Sequence, residues 1–315
     1  MEVIEEKYLE KWEDFTDLFN NYEADSKKYI FRGHSNKVIS PNGFQKWSLI
    51  SSFNRIKGKS GYSFSDYLFQ QLQSDFFEIT YSNYLYEKID MLTNASVLQK
   101  CYFFQHYGIA TCFIDFTFDP LVALYFSLTA IPGRSGGCYD GNGNPKFYSN
   151  DQDKDFISIY QIDVQLLQEI LNIKPINPDN FGFPNIDEYI ISATKFSSID
   201  SYLGLDLNPL QGEQSINNFN LKNQKGCFLY YDNEEFNGSF EKFVNLFCLE
   251  HNIKLKSSII KIYNINYNSL FKKRRENHPT HVSVFNFLRH RKITGQFLFD
   301  DMQGLKYDFN FFHQD

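Results

Sequence analysis

The sequence holds little cysteine and arranges none of it for chemistry. Five cysteines stand among 315 residues, at positions 101, 112, 138, 227 and 248. An odd number with no C-x-x-C spacing excludes a disulfide framework and a zinc ribbon, and points to reduced thiols in a cytoplasmic protein. No run approaches the ~20 apolar residues of a membrane span, so no membrane partner is expected. The first six residues, Met1 to Glu6, offer neither the basic nor the apolar part of an export signal. Positive charge is in deficit. A formal net charge of −7 gives no chain-wide field to gather nucleic acid. Also missing are G-x-G-x-x-G, the P-loop, H-E-x-x-H and G-x-S-x-G.

What is abundant is aromatic. Phe and Tyr supply 34 and 21 residues, against two Trp and three Met, and apolar residues reach 42%. Such a chain can bury a substantial core, as one large domain or two ordinary ones. The only dense basic run, Lys272-Lys273-Arg274-Arg275, reads as the solvated end of a helix. The one short histidine pair, His278 and His281, encloses Pro279, which makes a shared helix face awkward, so no metal site is expected.

Local patterns predict elements of both kinds. Ile4, Tyr8, Trp12, Phe15 and Phe19 recur at helical spacing, which predicts a helix over 3–19. Tyr29 to Gly33 reads as a strand, 40–62 as irregular, and 64–107 as helices closed by Gly108. Thr111 to Thr117 reads as a strand. Asp119 can then cap a helix whose first position suits Pro120 and whose apolar face is Leu121, Leu124, Tyr125 and Leu128. Segments 133–155 and 174–187 read as loops, Val164 to Leu171 as a helix. Phe156 to Ile162, Tyr189 to Phe196, Gly226 to Tyr231 and Ser257 to Ile265 read as strands. The mixture predicts an α+β fold, a mixed or antiparallel sheet flanked by helices.

Two segments carry polar groups where apolar ones would be expected. In Phe31-Arg32-Gly33-His34-Ser35, an arginine ends an apolar strand. It needs an anion: either a ligand's phosphate or carboxylate, or a carboxylate of the protein such as Asp115. Gly33 would let a ligand approach the backbone. The second segment runs from Gln105-His106-Tyr107-Gly108 through Asp115-Phe116-Thr117 into Pro120 and Phe126. Alternation puts Asp115 and Thr117 on one side of the strand, just before a helix N-terminus whose free N–H groups favour anions. Cys112 and Asp115 fall on opposite faces, which argues against a Cys-His-Asp nucleophile built with His106 or His34.

These segments resemble the FRG-domain family, named for its Phe-Arg-Gly motif. The family pattern continues in Trp47-Ser48-Leu49-Ile50-Ser51-Ser52 with Arg55, and in the block from His106 to Phe126. Weaker likenesses follow in Gln224-Lys225-Gly226-Cys227-Phe228 and in Leu298 to Leu305. Departures are Cys112 where Arg is usual, Phe116 for Trp, His34 for Gln and Asp300 for Pro. The resemblance implies one FRG domain over 1–315, with an N-terminal helix at 3–19, its strongest match at 29–126 and a weaker one at 222–305. It also implies a bacterial protein with a role in stress or phage defence.

The order of the motifs is similar to that of ADP-ribosyltransferases: an early-strand Arg, a hydroxyl-bearing strand entering an Ala-x-x-Phe helix, then a late strand. That likeness implies NAD as candidate substrate and a catalytic set of Arg32, His106, Asp115, Thr117 and Gln224. Gly33, His34, Gln105 and Tyr107 would contact the ligand. Gly226, however, falls where the catalytic Glu belongs. Either Asp115 or Asp301 replaces it, or the chain is a non-catalytic module that binds or senses a nucleotide or a protein element.

Overall fold

A computed structural model describes residues 2–20, 28–34, 38–40, 43–45, 48–55, 67, 101–102, 104–105, 109–129, 156–173, 194–196, 201–207, 219–233, 239–266 and 283–298. The elements in chain order are β1 (Ile4–Leu9), α1 (Trp12–Asn20), β2 (Tyr29–His34), β3 (Val38–Ser40), β4 (Gly43–Gln45), β5 (Phe113–Thr117) and α2 (Pro120–Thr129). There follow β6 (Phe156–Asp163), α3 (Val164–Leu171), β7 (Thr194–Phe196), β8 (Ser201–Asp206), α4 (Phe219–Asn223), β9 (Gly226–Asn233), α5 (Phe240–Glu250), β10 (Ile260–Asn266), α6 (Ser283–His290) and α7 (Gly295–Leu298).

Eight strands form one sheet in the order β1-β10-β6-β2-β5-β9-β8-β7, and β3 and β4 make a separate hairpin. Among the described residues only the β1–β10 pairing is parallel, so the sheet is mixed and the fold is α+β. The central strands read as nearly continuous apolar runs because both faces are covered. On β6, Tyr160 and Ile162 enter a core with Ile30, Phe116, Leu229 and the inward residues of α3 and α5. Ile157 and Ile159 point the other way, into a second core with Phe31, Phe19, α2 and α6.

The helix ends follow the sequence chemistry. Asp163 accepts the Leu166 N–H at 3.0 Å and starts α3, whose Val164, Leu167 and Leu171 face inward. Asp119 accepts the Leu121 N–H at 2.9 Å beside Pro120, the first residue of α2.

One expectation fails at the N-terminus. Residues 4–9 are not helical; they form the edge strand β1, and the helix starts only at Trp12. The spacing of Ile4 and Tyr8 suits a strand face as well as a helix face, since both are even-numbered positions. Pairing with β10 from Ile4↔Ile260 to Leu9↔Ile265 decides the matter. The strand β8 and the helix α5 were not anticipated.

The helices expected over 64–107 lie largely outside the described residues, although Tyr67, Cys101, Tyr102, Phe104 and Gln105 are helical. The two expected loops, the basic run at 272–275 and His278 and His281 lie outside them altogether. Among the described residues no helix is long and apolar enough to cross a membrane.

Candidate functional site

Neighbouring strands β2 and β5 touch through a single pair, Phe31↔Thr117, among the described residues. A continued antiparallel ladder would set Gly33 against Asp115. On their other edges β2 pairs along its whole length with β6, and β5 along its whole length with β9. Where the ladder stops, Arg32 takes over: its Nη1 donates to the Asp115 backbone carbonyl at 2.6 Å and lies 3.6 Å from Asp115 Oδ2. The Arg32 Nε is buried with no hydrogen-bond partner. Asp115 is held from its other side. Gln105 Nε2 donates to Oδ1 at 2.9 Å and Oδ2 at 2.8 Å, and the Thr111 hydroxyl donates to Gln105 Oε1. That second bond fixes which way the amide points. The Asp115 side chain stays 52% exposed, so the carboxylate is oriented without being enclosed.

A second cation arrives from the segment after Leu49. Ser51 Oγ accepts the Asn54 N–H at 3.2 Å and opens a helical turn over 52–55. Ser52 Oγ accepts from Thr111 N at 2.9 Å and donates to Thr111 O at 3.1 Å, and Asn54 Nδ2 donates to Tyr231 O at 3.1 Å. These bonds dock the turn on Thr111, just before β5, and on β9, with Arg55 at its end. Arg55 reaches solvent, yet loss of hydration and then the charge of Arg32 lower its pKa. His34 is lowered well below 6.5, first by burial, then by Arg32 and by Arg55. The His34 ring stands edge-on to Tyr160 at 5.3 Å. Two guanidiniums and an imidazole therefore share one field.

Thr117 and Gln224 belong to a different cluster. Paired with Phe31, Thr117 points to the sheet face opposite Arg32. Its hydroxyl donates to the Gln224 carbonyl at 2.6 Å and accepts the Asp119 N–H at 3.0 Å. Gln224 Nε2 donates to Leu298 O at 3.2 Å, and Lys225 Nζ pairs with Asp119 Oδ2 at 3.3 Å. The cluster ties the start of α2 to β9 and α7.

Of the residues expected at the site, Arg32, His34, Gln105 and Asp115 thus come together, while Thr117 and Gln224 do not join them. His106, Tyr107 and Asp301 lie outside the described residues. Gly33 has a packing reason of its own. A β-carbon there would lie 1.8 Å from the Ala123 carbonyl oxygen, so α2 makes a close approach at this position. Arg55 was missed as a site residue, although its place after Ser52 was part of the motif. Glu241, which binds the Leu49 N–H through both oxygens, announced itself by nothing more than a place in a helix's first turn.

Residues 27–133 match the family model of the FRG domain. The chain carries an FRG domain. That match spans Arg32, His34, Arg55, Gln105 and Asp115, so the whole cationic cluster and its carboxylate lie within the FRG domain. No curated protein matches the chain, and no solved structure does. Among the described residues no group of three or more His, Cys, Asp or Glu could hold a metal ion.

Proposed function

We propose that this FRG domain is a non-catalytic binding module that grips a phosphorylated ligand, of the nucleotide class, on Arg32 and Arg55. The observation that carries the reading is that Arg32 lies against the half-exposed Asp115 carboxylate held by Gln105, and lies near enough to Arg55 and His34 for its charge to lower the pKa of both. Like charges held together cost free energy, and a bound anion relieves that cost. Arg32, with its side chain 24% exposed, presents its guanidinium to it. NAD is one member of the ligand class.

Against turnover stands Gly226. A β-carbon there would meet Leu221 Cδ1 at 2.2 Å, so a glutamate in its place would require Leu221 to move. A single unit over 1–315 is part of the proposal. It is supported by β1, β9 and β10 sharing a sheet with the FRG strands.

The test is thermal-shift and calorimetric titration with pyrophosphate, ATP and NAD at fixed ionic strength. Saturation at a hundredfold excess over Kd stabilises a folded protein by about 2.7 kcal/mol. Arg55→Ala and Arg32→Ala should each abolish the shift. The Arg32–Asp115 pair is only partly buried and worth up to about 1 kcal/mol, so the Arg32 variant should still fold. Absence of a shift with every anion overturns the site. Release of nicotinamide from NAD, lost in Arg32→Ala, overturns the non-catalytic reading.

A further inference from the structure

We infer that Asp115 selects the ligand of this site by accepting the vicinal hydroxyls of a pentose attached to the bound phosphate. The inference rests on the phosphate reading above. An ionised carboxylate accepts and never donates, with about four lone-pair directions to fill. Gln105 Nε2 takes one direction on each oxygen, and Arg32 Nη1 stands 3.6 Å from Oδ2. With the side chain 52% exposed, both oxygens keep an open direction, side by side.

The incoming donor must also suit the local field. Arg32 already stands against this carboxylate and opposes a second ammonium or guanidinium, so neutral donors suit the open directions. Two neutral hydroxyls on adjacent carbons match two adjacent carboxylate oxygens. Arg32 touches Asp115 and belongs to the cationic cluster as well, so phosphate and diol fall within one small molecule. The carboxylate is also preorganised. Thr111 orients Gln105, Gln105 orients Asp115, and the carboxylate stands on a strand whose neighbours Ile114 and Phe116 are buried.

Calorimetry with AMP, 2′,3′-dideoxy-AMP and pyrophosphate on the wild type and Asp115→Asn tests this. The wild type should bind AMP at least about tenfold more tightly than the dideoxy compound, the usual scale for losing bonds to a charged acceptor. In Asp115→Asn that gap should vanish. Pyrophosphate affinity should rise there, because a negative charge beside Arg32 has gone. Equal binding of AMP and its dideoxy form by the wild type overturns the inference and leaves the phosphate reading intact. So does a gap that persists in Asp115→Asn. The wild-type comparison stands even if the variant fails to fold. Binding of none of the three compounds overturns both readings.

Discussion

Gly33 lies directly beneath Ala123: a β-carbon at Gly33 would stand 1.8 Å from the Ala123 carbonyl oxygen and 2.9 Å from the Ser127 nitrogen. The glycine of the Phe-Arg-Gly motif is thus a packing requirement between β2 and α2. The obstructing atoms are backbone, so no rotamer change clears them. Overpacking in a core costs about 1–3 kcal/mol, and a clash with helix backbone belongs at or beyond the top of that range. Gly33→Ala should lower unfolding free energy by about 3 kcal/mol or more in urea titration. A change below about 0.5 kcal/mol, as at an ordinary surface site, would refute the packing role.

Glu241 fastens the segment that delivers Arg55. Its carboxylate accepts the buried Leu49 N–H at 2.9 and 3.0 Å, and Phe240 N donates to Leu49 O at 2.9 Å. Glu241→Ala would orphan that N–H at a cost of about 1–3 kcal/mol. Burial raises the Glu241 pKa from its ordinary 4.5, while the Leu49 N–H acts the other way. The folded state then keeps a proton that the unfolded chain has released. Stability from this group is full below pH 4.5 and declines as pH rises through the folded value. In Glu241→Gln that decline should disappear. Parallel stability curves for the two proteins between pH 4 and 8 would count against it.

Legibility in the sequence followed the range of the forces involved. The start of α2 was readable because Asp119 and Pro120 act within one turn of the chain. The same holds for α3, capped by Asp163. The pairing of β1 with β10 joins residues more than two hundred and fifty positions apart, and nothing local in 4–9 distinguishes it from a helix. Within the site, Arg32 and Asp115 were visible as a charge and a carboxylate in apolar strands. The structure joins them through Arg32 Nη1. The separation of Thr117 from Arg32 depends on the register Phe31↔Thr117, which no periodicity in either strand encodes.

Thr117 offers a direct check on that separation. Its hydroxyl serves the Gln224 carbonyl and the Asp119 amide, both near the start of α2. Thr117→Val keeps the shape and removes both bonds, leaving a buried amide and a partly buried carbonyl each without this partner. About 1–3 kcal/mol of stability should be lost. Pyrophosphate affinity, measured well below the variant's Tm, should stay within twofold or so of wild type, since the cationic cluster lies across the sheet. Loss of affinity without loss of stability would return Thr117 to the ligand site.

His34 makes the cluster sensitive to pH in two opposed ways. Burial first, then Arg32 and Arg55, hold its pKa well below 6.5, and the Tyr160 ring packs nearly perpendicular to it. In the ligand-free protein the folded state therefore stays unprotonated where the unfolded chain takes up a proton. Stability is full above pH 6.5 and falls as pH drops toward the folded value, by up to about 1.4 kcal/mol per pH unit. His34→Asn should remove that slope. A bound anion among Arg32 and Arg55 offsets both repulsive charges and raises the His34 pKa, so binding takes up a proton and strengthens as pH falls. Sulfate is the suitable probe, because its own charge is constant from pH 7.5 to 5.5. Wild-type affinity for sulfate should rise over that interval and His34→Asn should show no such rise. Equal affinity at both ends in the wild type would mean that the imidazole and the anion do not share a site, and that the two guanidiniums act without it.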